Sequence, residues 1–253
     1  MIQLKGKVII VTGAGRGIGR EYARAFAGEG AHVVAADIID CAETVALAKG
    51  AAGKIVASKL DVTKGDSVQA MAETALEAFG RIDGLVNNAA LYGNLRGGKF
   101  DTLTEESWDA TMAVNVKGIW NCCKAVVPHM RKLGGGSIVN IASLAALYGT
   151  PYTLHYTTSK AAVIGLTRGL ARELGRESIR VNAVAPSAVL TEATQEFFGA
   201  KASRALEVIR GGQAIQSNLE PSDLTGTVAW LLSDASRLVT GQTIAVDGGT
   251  VML

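Results

Sequence analysis

The sequence predicts an α/β fold: one Rossmann-type domain with a doubly wound parallel sheet of about seven strands flanked by helices. Three observations carry this prediction. Short apolar runs alternate with helix-patterned segments along the whole chain, as they do when helices cover both faces of a parallel sheet. The 253 residues are 48% hydrophobic and only 19% charged, enough to bury one large core. Glycine numbers 30, about 12% against a usual ~7%, which a many-turned sheet requires and a collagen-like period does not explain.

Each element follows from local chemistry. Lys7–Val11, His32–Ala36, Lys54–Leu60, Gly84–Asn87, Ser137–Ile141 and Arg180–Ala185 read as buried strands, with Thr243–Val246 as a short last one. Helices are expected over 17–28, 40–49, 66–79, 105–132, 153–176 and 221–234. Asp66 and Ser67 are acceptors for the first-turn amides of the third. Thr104 precedes Glu105 and Glu106 at the start of the fourth, where acids suit the positive helix end. Pro221 sits at a first helical position with Asp223 behind it. The segment 187–218 breaks the rhythm. Because it leaves a strand where ligands bind in open parallel sheets, it is a candidate substrate lid within the single domain 1–253.

Composition excludes several classes of function. Lys plus Arg is 25 and Asp plus Glu 23, so no charge excess favours nucleic acid or an anionic membrane. Cys41, Cys122 and Cys123 form neither a disulfide framework nor a metal pair, and no metal is expected. Residues 133–159 lack charge, but Gly134 to Gly136, Asn140, Pro151 and His155 interrupt them. Met1 to Lys7 has no apolar stretch of a signal peptide, so a soluble, cytoplasmic protein is expected.

The chemistry begins after the first strand, at Thr12-Gly13-Ala14-Gly15-Arg16-Gly17-Ile18-Gly19. Glycines there let backbone amides approach a pyrophosphate at a helix N-terminus. Arg20 and Glu21 stand where a P-loop needs Lys-Ser/Thr, so a dinucleotide is favoured over a nucleoside triphosphate. Asp37, 18 residues beyond Gly19, is placed to accept from an adenosine ribose diol. A 2′-phosphate would meet a like charge there and no cation from Ile38 or Ile39. NAD is therefore preferred, while Arg16 keeps NADP open. Tyr156 and Lys160 are one helical turn apart, and an ammonium beside a phenol favours the phenolate. Such a tyrosine can exchange a proton with an alcohol oxygen. Ser143, at the carboxyl end of the fifth strand, brings a hydroxyl to hold that oxygen. His155 points about 100° away on the helix and reads as structural.

Together with Asp61-Val62, Asn87-Asn88-Ala89, Asn115 and Val246-Asp247-Gly248-Gly249, these motifs resemble the short-chain dehydrogenase/reductase family over essentially the whole chain. The resemblance implies that Asp61 and Val62 contact the adenine and that Asn87 and Ala89 line the cofactor. It also implies that Asn115 kinks its helix and holds a water in a proton relay. Lys160 would bind the nicotinamide ribose, Pro186 would border the nicotinamide, with Val189 beside it, and Thr191 would bond its carboxamide. A homotetramer with helices 105–132 and 153–176 at one interface is implied too. Two positions depart from the family pattern: Ala90 replaces glycine after Asn-Asn-Ala, and Ser187 replaces glycine after Pro186.

A finer similarity, to secondary-alcohol dehydrogenases of aryl-alkyl or cyclic substrates, rests on Pro186-Ser187, residues 223–226 and residues 240–243. It nominates Leu91, Leu95, Ser143, Leu144, Ala145, Tyr148, Tyr152, Tyr156, Ser187 and Val189 as substrate contacts, mostly apolar. The expected activity is NAD-dependent oxidation of a hydrophobic secondary alcohol. The alternatives are an NADPH-dependent ketone or 3-oxoacyl reductase and a non-catalytic NAD-binding regulator.

Overall fold

Side chains of the continuous apolar strands point alternately to the two faces of the sheet, and this decides the layering. The computed structural model describes residues 4–252, so part of the Met1–Lys7 segment, at residues 1–3, lies outside the described range. Seven parallel strands, β1 (Val8–Thr12), β2 (His32–Asp37), β3 (Ile55–Lys59), β4 (Gly84–Asn87), β5 (Gly136–Ile141), β6 (Ile179–Pro186) and β7 (Thr243–Val246), form one sheet. Its order is β3-β2-β1-β4-β5-β6-β7. Val8 and Ile10 of β1 face one core, and Ile9 and Val11 face the other. Both faces are therefore covered, as a βαβ-connected sheet requires.

The first core packs under α3 (Gly65–Phe79), α5 (Gly118–Leu133) and α7 (Leu154–Leu174). The second packs under α1 (Gly17–Gly28) and α10 (Pro221–Leu232). The remaining helices are α2 (Ala42–Leu47), α4 (Glu105–Met112), α6 (Ala145–Tyr148), α8 (Glu192–Phe198) and α9 (Ala202–Gly211). The expected strands and major helices are present with ends shifted by two residues at most. The Thr104 hydroxyl accepts from the Ser107 amide, and Glu220 and Asp223 form a reciprocal box around Pro221. One cap differs from expectation. No side chain caps α3, and the Ser67 hydroxyl instead accepts from the Asp61 amide at 2.9 Å. Ser67 thus fixes the loop after β3 rather than its own helix.

The segment expected as one helix over 105–132 is interrupted by a π-helical turn, Ala113–Lys117, centred on Asn115. Such turns lodge an extra residue in a helix and recur at functional sites. No helix among the described residues is long and apolar enough to cross a membrane.

Strand order reverses between β1 and β4, so a crevice opens at their carboxyl ends. Two loops close tightly on each other there. Thr12 Oγ1 accepts from the Asn88 and Ala89 amides, both at 3.0 Å. Asn88 Nδ2 donates to the Thr12 and Gly13 carbonyls at 3.0 and 3.1 Å. A Cβ at Gly19 would lie 2.1 Å from the Gly13 carbonyl oxygen and 2.6 Å from Asn88 Nδ2. Gly19→Ala is therefore expected to cost about 1–3 kcal/mol by overpacking. Gly226→Ala, where nothing lies within 4 Å, leaves stability unchanged or raised by a few tenths of a kcal/mol. Denaturant melts of the two variants against the parent check both.

Candidate active site

The crevice continues into a cavity of about 1010 Å³ that runs from the end of β2 to the segment after β6. The glycine loop forms one end. Gly13 and Gly17 have φ of +68° and +56°, a conformation that keeps side chains out and turns the backbone towards the cavity. Arg16 and Ile18 complete that wall, whereas Gly15 and Gly19 stand behind it. Gly15 acts through its amide, which donates to Asp37 Oδ2 at 2.8 Å. Asp37 Oδ1 accepts from the Ile39 amide at 3.1 Å, and the carboxylate borders the cavity. Asp61 and Val62 line the same end. Thr63, donating from its amide and hydroxyl to Asp61 Oδ1, holds that carboxyl below its ordinary pKa.

Two further expected site residues, Asn87 and Asn115, also lie off the wall, for a clear reason. Asn87 is the last residue of β4 and points into the sheet layer: its amide nitrogen donates to Asn140 Oδ1 at 2.8 Å, and the side chain is buried. Asn88 and Ala89 face the cavity instead. Side chains alternate across a strand, so the residue after Asn87 is the one turned outward. Asn115 is also fully buried. Its Oδ1 accepts from the Leu91 amide at 2.8 Å, and its Nδ2 donates to the Leu91 carbonyl at 3.3 Å and Ser159 Oγ at 3.1 Å. With both amide hydrogens committed, the Asn115 side chain braces the Leu91 backbone and does not touch the cavity.

The other end of the cavity gathers Ser143, Tyr156 and Lys160. Ser143 follows β5, and its Oγ accepts from the Ala145 amide at 3.2 Å at the start of α6. Tyr156 and Lys160 come from the first turns of α7, and Lys160 Nζ sits 5.7 Å from the Tyr156 ring centroid. Lys160 is buried and donates to the Ile141 carbonyl, the last of β5, at 2.7 Å. Burial brings its pKa down to about 8. The expected lowering of the tyrosine is not found in the protein alone. Burial drives the Tyr156 phenol well above its ordinary value and Tyr92 adds to this, while the Ser143 hydroxyl pulls the other way. Desolvation disfavours whichever form is charged, so it moves a phenol up and an ammonium down.

Pro186, Ser187, Val189 and Thr191 border the cavity after β6, and Leu91, Leu144, Ala145 and Tyr148 form its apolar side. Leu95 and Tyr152 do not reach it. Tyr152 is 66% exposed with φ +63°, and its carbonyl is occupied by the Gly98 amide. Sequence reasoning missed Tyr92, whose ring lies 5.3 Å from Tyr156 and stacks 4.7 Å from Phe197 of α8. No motif marks Tyr92; the aromatic pair Phe197-Phe198 facing a scarce set of partners was the available signal. His155 is buried, with its pKa lowered by burial, and does not line the cavity.

The residues present fit a dinucleotide. Glycines form a cradle that a Cβ would fill, a carboxylate is set at one end, and a hydroxyl–phenol–ammonium group lies at the other. No cluster of His, Cys, Asp or Glu among the described residues is arranged to hold a metal. All three cysteines are buried free thiols.

A family model described as enoyl-(acyl carrier protein) reductase, of the short-chain dehydrogenase type, matches residues 13–251. The chain is 41% identical over 253 residues to the 3-oxoacyl-(acyl-carrier-protein) reductase FabG of Thermotoga maritima, covering 99% of this chain and all of that one. It is 38% identical to a probable galactose dehydrogenase, GalD, of Rhizobium meliloti, over 97% of this chain and 95% of that one. Among solved structures it resembles carveol dehydrogenase from Mycobacterium avium in complex with NAD, with a TM-score of 0.91 and 33% identity over 98% of each chain.

The titration of Lys160 gives a test. A lysine whose folded pKa lies below its unfolded value costs stability wherever the ammonium is the ordinary form. That cost is full below pH about 8 and fades as pH climbs through the unfolded value of 10.5. Lys160→Met removes it. The stability difference between variant and parent is therefore expected to move in the parent's favour as pH rises above about 8. Denaturant unfolding at a series of pH values measures it, and a pH-independent difference contradicts the assignment.

Proposed function

The chain belongs to the short-chain dehydrogenase/reductase family of NAD(P)-dependent oxidoreductases, and from that premise we propose that it oxidises an apolar secondary alcohol to a ketone with NAD. The observation that carries this reading is the convergence of Ser143, Tyr156 and Lys160 on one end of a cavity whose far end holds Asp37.

When bound, NAD supplies the hydride acceptor and a positive charge. The chain's own residues do the rest. Ser143 Oγ holds the substrate oxygen beside Tyr156. Tyr156 Oη takes the hydroxyl proton during oxidation and returns it during reduction. Lys160, held by the Ile141 carbonyl, stabilises the phenolate and presents its ammonium to the nicotinamide ribose. Asn115 acts as a positioning residue by fixing the Leu91 backbone at the cavity edge. Gly13, Gly17 and the amides of the α1 N-terminus receive the pyrophosphate. Asp37 accepts from the adenosine ribose, Asp61 and Val62 flank the adenine, and Ala89, Pro186, Val189 and Thr191 flank the nicotinamide half.

The apolar wall of Leu91, Leu144, Ala145 and Tyr148 supports a hydrophobic substrate, and residues 187–218 form the lid that covers it. The Tyr92–Phe197 stack supports closure from α8. In the homotetramer implied by the family, the exposed Trp120 and Leu154 of α5 and α7 belong to an interface. Reduction of a ketone or 3-oxoacyl group with NADPH is a second reading, favoured by the 41% identical 3-oxoacyl reductase and by Arg16 on the cavity wall.

NAD reduction across aryl, cyclic, aliphatic and polyol secondary alcohols tests the substrate class. Apolar alcohols are expected to be turned over best, and a strong polyol preference overturns that part. Tyr156→Phe is expected to lower kcat by about 10²–10⁴-fold, the usual worth of a positioned acid–base group. Near-full turnover by this variant refutes the mechanism. Asp37→Ala is expected to weaken NAD binding and narrow its advantage over NADP; an unchanged ratio of kcat/KM argues for the second reading.

A further inference from the structure

We propose that Glu196, on α8, is a determinant of cofactor choice: it holds the guanidinium of Arg16, a residue of the cavity wall, in an ion pair and so denies it to a 2′-phosphate. The proposal rests on the dinucleotide reading above.

Arg16 precedes the first turn of α1 in extended backbone, with φ −155° and ψ 175°, and its side chain reaches Glu196 on α8. Its Nη1 donates to Glu196 Oε1 at 2.5 Å and its Nη2 to Glu196 Oε2 at 3.0 Å. This two-pronged geometry is the one in which a guanidinium would otherwise grip a phosphate. Asp37 and Glu192 lie near enough to Arg16 to raise its pKa further, after Glu196 itself. Arg16 therefore borders the ribose-facing carboxylate, yet its terminal donors are turned towards α8.

Two other cations near Asp37 are also committed. Arg20 donates to the Gly15 carbonyl and to Glu43, and Lys59 donates to the Ile38 carbonyl. A 2′-phosphate beside Asp37 would thus meet one carboxylate directly and would have to displace a second from Arg16. NAD lacks that phosphate and makes no demand on the guanidinium.

The position of Glu196 is set by packing as well as by charge. A Cβ at Gly93 would lie 2.4 Å from Glu196 Oε2 and 3.1 Å from Ala193 Cα, so that glycine leaves room for the carboxylate. The next residue back, Tyr92, stacks on Phe197, which follows Glu196 on α8. Both partners of the pair keep more than a third of their side-chain surface exposed. At such a site an ion pair adds little to folding stability, so its effect falls on which anion Arg16 can serve.

Dissociation constants for NAD and NADP, measured by calorimetric titration of the full chain, test the proposal with Glu196→Gln and Glu196→Ala. NADP is expected to bind both variants about tenfold more tightly than the parent, about 1.4 kcal/mol, with NAD changed by less than about twofold. The gain is expected to vanish in Arg16→Ala/Glu196→Gln and to shrink with added salt. An unchanged NADP constant overturns the proposal, as does a gain that survives without Arg16. An equal loss of both cofactors overturns it in favour of a latch that only closes α8. If the parent binds neither nucleotide, the dinucleotide reading itself falls, and the proposal with it.

Discussion

A lysine ammonium removed from water beneath a tyrosine ring is the constraint around which the site is built. Lys160 is buried and donates to the carbonyl of Ile141, the residue that ends β5. A buried cation needs such a partner, and desolvation still draws its pKa down to about 8. The same burial drives Tyr156 the opposite way. The protein therefore holds a neutral phenol beside an ammonium whose grip on its proton is weakened by burial, and any further positive charge in the cavity favours the phenolate.

Keeping that pair in place requires the surrounding backbone. Lys160 ties α7 to the end of β5, and Ser143 begins the turn that follows β5. Asn115, in a π-turn, braces Leu91 on one side and Ser159, the residue before Lys160, on the other. The Asn88 amide likewise staples the β1 and β4 loops together. Polar side chains thus fix the cavity rim, and the two apolar cores fix the sheet on which the rim stands.

Much of this was legible in the sequence because it depends on periodicity and on residue type. Seven apolar runs became seven parallel strands, and the glycine loop, Asp37, Ser143, Tyr156 and Lys160 converge on one cavity. What escaped depends on direction and on neighbours distant in the chain. Asn87 and Asn88 are both asparagines after an apolar run, and only the strand's exit decides which faces the cavity. The π-turn at Asn115 is invisible to a 3.6-residue pattern. Tyr92 gains its place by stacking on Phe197, more than a hundred residues later, and Tyr156 and Lys160 shift under burial that spacing alone does not reveal.

The most direct measurement is an ultraviolet difference titration of the protein against its Tyr156→Phe variant, with and without saturating NAD. Without NAD, the Tyr156 phenolate is expected only above the ordinary tyrosine value of ~10. With NAD, its ionisation is expected to move down towards neutral pH. A Tyr156 phenolate at neutral pH in the protein alone, or a transition that NAD leaves unmoved, would contradict the account.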